Sequence, residues 1–170
     1  MKMNKLSKVC AIFLITTTVS AVNAKPAYIP SQFEQFEKTG ICIGCDLSEA
    51  NLNSHNNANL TNALLVNANL VRSTFYTSNF SGAQMMYANL YNLKASGSNF
   101  NSTNLTGADL SSANLSSCDF AGAILSQAYL SNADLARANI SAHQLASAKS
   151  LSCAIMPDGT RHLSDTGSRC

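Results

Sequence analysis

The chain has 170 residues, which suits one domain, and 12% of them are charged while 46% are apolar. That balance excludes a disordered tail and a charged coiled coil. A formal charge of +2 gives no sign of a nucleic-acid-binding surface.

The first predicted element is a leader. Lys2, Lys5 and Lys8 form a basic start. Val9 to Val19 is an apolar stretch softened by Thr16, Thr17 and Thr18, and Val22-Asn23-Ala24 offers a cleavage site. This three-part layout predicts a secretory signal over residues 1–24 and an exported protein, periplasmic or extracellular. The apolar stretch is shorter than the ~20 residues of a bilayer span, so no stable membrane insertion is expected after cleavage. The leader holds three lysines and no acid. Its removal takes the chain from 11 basic and 9 acidic residues to 8 and 9, a net charge of −1.

Residues 25–44 are predicted as an N-terminal cap. Ser31-Gln32-Phe33-Glu34 reads as a capping box. Phe33 and Phe36 share one helical face, and Gly40 stops the helix. At its end, Cys42-Ile43-Gly44-Cys45 raises redox and metal readings. The redox reading needs a βαβ context that is missing. Zinc needs two further ligands at suitable spacing, and there is no second Cys-X-X-Cys. A structural role is the expectation, with no cofactor.

Residues 45–150 repeat with a period of five. Stepping by five from Leu60 to Leu145 lands on a large apolar residue in seventeen of eighteen cases, and the residue two earlier is small in sixteen. The residue between them is usually Asn or Asp, as in Asn59, Asn89 and Asp109. This period fits neither an α-helix nor a long strand. The two inward positions lie on one side of a short extended segment, and a bend after each one winds the chain into a coil. Successive coils stack at about 4.8 Å, each covered by its neighbours. At Leu93-Lys94-Ala95 the large and small residues exchange places. Leu52 and Leu60 are eight apart, so residues 53–57 must hold a bulge or a shortened side.

Ala108-Asp109-Leu110-Ser111-Ser112 and Ala113-Asn114-Leu115-Ser116-Ser117 resemble the Ala-(Asp/Asn)-Leu-X-X motif of the pentapeptide-repeat family. The resemblance implies an all-β, right-handed quadrilateral β-helix with four repeats per coil. Phe80, Phe100 and Phe120 then form one column, with Leu60 below and Ile140 above, and about five coils extend roughly 24 Å. Members of the family often open their repeats with a segment like Cys42 to Leu47, which favours the structural role.

Residues 151–170 are predicted as an irregular C-terminal cap containing the turn Met156-Pro157-Asp158-Gly159-Thr160. Cys118 falls on a small inward position and is expected as a buried thiol. Cys42, Cys45, Cys153 and Cys170 allow three pairings, and pairing within each end is favoured because the caps are far apart. His55, His143 and His162 adjoin no Cys or carboxylate at ligand spacing, and no metal site or catalytic group is expected.

Most outward positions are Asn, Ser, Thr or Asp. Leu64, Val66 and Val71 break that rule, as do Met86, Tyr87 and Tyr91 one coil later. These six make a candidate partner-binding patch on two adjoining faces, unless the N-terminal segment or residues 53–57 fold back over it. Three functions compete. A rigid rod with side chains on a lattice suits a non-catalytic interaction or scaffold module, with an unknown protein or a second copy as partner. The resemblance also raises a nucleic-acid mimic, because some family members bind DNA gyrase. The leader, the mature charge and outward Asn in place of Asp or Glu oppose it. A thiol-redox or hydrolytic enzyme lacks a site. The first is the expectation, with no nucleic-acid partner.

Overall fold

The computed structural model describes residues 28–167 and 170; the leader predicted over residues 1–24 lies outside them. Each five-residue side is built the same way. The Leu60 carbonyl accepts the Ala63 N–H at 3.1 Å and closes a turn over Thr61 and Asn62. The third turn residue has φ of 56° at Asn62 and 67° at Gly107, a left-handed conformation that Gly and Asn adopt most easily. The outward Asn or Asp secures the turn. Its side-chain oxygen accepts the N–H two residues on, at 3.0 Å for Asn79 and 2.9 Å for Asp109. This local bond explains the residue type at that position.

Sides stack through the backbone. Leu60 donates to the Asn79 carbonyl at 2.8 Å, and Asn79 donates back to Ala58 at 2.8 Å. Parallel bridges Asn59↔Asn79, Leu64↔Gln84, Asn69↔Asn89 and Thr74↔Lys94 all step by twenty residues, so a coil has four sides. Each side contributes one bridged residue between turns, and the ladder consists of isolated bridges. Ile41, Asn59, Asn79, Asn99, Asp119 and Asn139 are successive rungs of one column, about 24 Å over five steps at strand spacing.

The first coil steps by eighteen, as in Ile41↔Asn59 and Asp46↔Leu64. Residues 53–57 are therefore a shortened side. Side chains replace the missing backbone acceptors: Ser54 Oγ accepts the Thr74 N–H at 2.8 Å and Asn56 Oδ1 the Tyr76 N–H at 3.1 Å. Below it lies α1, Pro30–Thr39, ended by Gly40 in the left-handed region. Phe36 is fully buried and stacks on Phe75 at 6.3 Å. The capping box expected at Ser31 does not form. Ile29 is the N-cap and makes no side-chain bond, because Pro30 at the start of the helix draws Ser31 into its first turn.

At the other end the step becomes twenty-one, as in Tyr129↔Ser150. A second helix, α2, Ala142–Ser147, takes the place of a corner. It interrupts the five-residue repeat expected to run through residue 150. Ser141 and Gln144 form the capping box, and Gln144 Nε2 also donates to the carbonyls of Phe120 and Ala123 at 2.6 and 2.9 Å. Leu145 keeps its inward place, since the helix turns it onto the core. The chain then bridges Asp134↔Ile155 and folds back as the antiparallel pair Ile155↔Arg161.

The core is a continuous axis of Leu and Phe. Phe80 and Phe100 stack at 4.9 Å, Phe100 and Phe120 at 5.1 Å. Several small inward residues that carry a polar atom bond to carbonyls of the coil below: Ser98 Oγ to Phe75 at 2.7 Å, Thr103 Oγ1 to Phe80 at 2.8 Å, and the Cys118 thiol to Ala95 at 3.0 Å. Burial pushes the Cys118 thiol from 9.0 up to about 12. The unfolded chain therefore loses this proton first as pH rises through 9. Stability should fall by about 1.4 kcal/mol between pH 8 and pH 10 relative to Cys118→Ala. Matched denaturant melts of the two proteins check this; identical pH slopes would place the thiol in contact with water.

Candidate functional site

The patch lies on the two faces centred on the columns of Leu65 and Leu70. The Asn67 N–H donates to Met86 and the Arg72 N–H to Tyr91, both at 3.0 Å. These bonds set Met86 and Tyr91 one rung above Val66 and Val71. Tyr87 is 64% exposed, Leu64 41% and Tyr91 40%. Val71 is also exposed, while Val66 and Met86 are half-buried. Above them Thr106 and Ser111 are polar, and Thr106 Oγ1 is bound to Asn104 at 2.7 Å. Residues 53–57 do not fold over the patch. Their bonds run to Thr74 and Tyr76 on another face, and Asn53 donates to Glu37 of α1 at 2.8 Å. The helix α1 sits under the end of the core, on Phe75.

A neighbouring feature escaped the sequence reading. A shallow cavity of about 320 Å³ opens beside the patch, between Tyr87 and Tyr129, over Gly107 and Asp109. Tyr129 stands where Asn89 and Asp109 stand in the coils below, as the bridges Asn89↔Asp109 and Asp109↔Tyr129 show. An aromatic residue in the Asn/Asp position was the available signal, at a distance of two coils.

The cysteines separate into two ends and a core position. Cys42 takes the large inward place of the first coil and Cys45 the small one, and they form a disulfide with Cα atoms 5.4 Å apart. A second disulfide joins Cys153 to Cys170, and Ser150 Oγ donates to Asp165 at 2.6 Å beside it. His55 stands at the place of a large inward residue, edge-on to Phe36 at 4.6 Å and with Nε2 3.7 Å from Glu37. His143 and His162 are exposed. Among the described residues no group of three His, Cys, Asp or Glu is placed to hold a metal ion. No helix among them is long and apolar enough to cross a membrane.

A family model described as pentapeptide repeats matches in eight copies, over residues 41–82, 56–90, 83–120 and 113–149. Several solved structures are similar. A pentapeptide repeat protein from the thylakoid lumen of Arabidopsis thaliana is 22% identical, covering 65% of this chain and 75% of that one at a TM-score of 0.45. One from the cyanobacterium Cyanothece 51142 is 24% identical over 61% of this chain and 92% of its own, at 0.38. HetL of Nostoc sp. strain PCC 7120, involved in the regulation of heterocyst differentiation, is 28% identical over 72% of each chain, at 0.31. No curated protein matches the chain.

Proposed function

Because the chain belongs to the pentapeptide repeat family, we propose that it is an exported, non-catalytic interaction module, a right-handed quadrilateral rod that binds a protein through Leu64, Val66, Val71, Met86, Tyr87 and Tyr91. The partner is another protein or a second copy of this chain. The observation that carries this reading is the grouping of exposed Leu64, Val71, Tyr87 and Tyr91 on two successive coils, on a rod whose other outward positions are mostly Asn, Ser, Thr and Asp. Contiguous apolar patches of this kind mark interaction sites, and Tyr and Met are favoured in them.

Export rests on the leader over residues 1–24. A nucleic-acid mimic is disfavoured by the mature charge of −1.

The test is photo-cross-linking in cells that express the protein. Benzoyl-phenylalanine in place of Tyr87 should give one discrete adduct, with a partner protein or a second copy. The same group in place of Ser116, on another face, should give none. Equal labelling from both positions would remove the patch as the binding surface.

A further inference from the structure

We propose that the recess between Tyr87 and Tyr129 binds a neutral saccharide, one ring or two of a β-linked glycan chain. The inference goes beyond the protein-binding reading and shares only Tyr87 with it.

The walls of the recess are aromatic and held in place. A Cβ on Gly107 would lie 2.6 Å from Cδ1 and Cε1 of Tyr87. The missing side chain therefore lets the Tyr87 ring lie down over the corner of the next coil. On the opposite wall, Lys149 Nζ sits 5.1 Å from the centre of the Tyr129 ring, without lining the recess itself. This cation–π contact steadies the ring from behind. A pyranose whose substituents are equatorial presents a face of C–H bonds, and a tyrosine ring offers a matching apolar plane with a polar tip.

The floor is polar. Asp109 uses Oδ1 to accept the Ser111 N–H at 2.9 Å, and Asn89 uses Oδ1 to accept the Tyr91 N–H at 3.2 Å. The second Asp109 oxygen and the Asn89 amide N–H groups have no hydrogen-bond partner among the described residues. An acceptor and a donor thus stand one rung apart, about 4.8 Å, beside two aromatic planes. Hydroxyls across a sugar ring, which donate and accept, fit that pair.

Charge selects against the alternatives. An anion entering the recess meets the Asp109 carboxylate. A cation drawn to Asp109 is opposed by the Lys149 ammonium beside Tyr129, so the pair of charges favours neither sign. A polar, uncharged ligand with an apolar face is what remains, and a cavity of about 320 Å³ is of the size that holds a small ligand.

The chain has no Trp and five Tyr, two of which line the recess, so a ligand bound there changes tyrosine emission. The full mature chain is titrated with cellohexaose and with chitohexaose, and with hexalysine and heparin as charged controls. The expected result is a saturable change in emission with at least one neutral oligosaccharide. Tyr129→Asn and Asp109→Ala should each weaken it tenfold or more. Leu64, Ile124 and Tyr129 already stand in the Asn/Asp position, so the fold tolerates both changes, and unchanged circular dichroism confirms it. The double variant Met86→Ser with Tyr91→Ser should bind the oligosaccharide normally, which separates this site from the protein-binding patch. Three results would overturn the proposal: no saturable response to either oligosaccharide, a response untouched by both recess variants, or preferential binding of hexalysine or heparin.

Discussion

Phe100→Ala is expected to destabilise the protein by about 3–5 kcal/mol. Phe100 is fully buried, and its ring is nearly parallel to both Phe80 and Phe120, with interplanar angles of 4° and 7°. Removing the middle ring takes away both contacts at once. The hole cannot close by collapse of the coils, because their spacing is fixed by backbone bonds such as Phe100 to Asp119 at 2.7 Å and Asp119 to Ser98 at 3.1 Å. Cavity cost therefore adds to the lost burial. Guanidinium unfolding measures it. A loss under about 1 kcal/mol, below the range for a Phe→Ala change in a packed core, would mean that the column is not packed as described.

Leu93→Ala is expected to cost about 2–5 kcal/mol. Leu93 occupies the small inward position, and Ala95 the large one, and both are fully buried. The pair conserves volume while exchanging shape, the kind of change that packing tolerates best. Truncating Leu93 leaves two alanines on that side and nothing to fill the axis. Adding Ala95→Leu to Leu93→Ala restores the ordinary small–large order and should recover most of the loss. Coupling of this kind is expected between residues that share one cavity. If Leu93→Ala is neutral, or if Ala95→Leu deepens the loss, the exchange is not one of volume.

The axis of the fold was legible because its inward residues repeat every five positions, and large size is hard to satisfy anywhere but inside. Leu60, Phe80 and Leu110 could be placed from spacing alone. The corners were less legible. Arg72, Thr77 and Tyr87 adopt positive φ at places where Gly or Asn would signal it, so composition hides a requirement that the coil imposes geometrically. The helix ends show the same limit. Ser31 and Glu34 have capping-box spacing, yet Pro30 opens α1 and makes Ile29 the N-cap, two residues before Ser31. Ser141 and Gln144 have it too and do form the box, but Leu145 falls in the five-residue phase and made that stretch read as one more side. Gln144 is too long to fold back on the residue two ahead, as Asn does, and it caps the helix and binds the carbonyls below instead.

The patch and the recess divide along the same line. Leu64, Val66, Val71, Met86, Tyr87 and Tyr91 are one coil apart, and a twenty-residue register brings them together on paper. Tyr129 meets Tyr87 only across two coils, and only because Gly107 lets a ring lean upward. A missing side chain between two aromatic residues is not a pattern that spacing reveals.

The measurement that tests the functional reading most directly is association of the double variant Met86→Ser with Tyr91→Ser. Both side chains lie outside the core axis, so the melting temperature should stay within about 2 °C of the parent, as for surface changes of small cost. Co-purification of the partner, or self-association in light scattering, should be lost. Full association at unchanged stability, or unfolding of the variant, would contradict the account: the first would place binding elsewhere on the rod, and the second would make these residues part of its packing.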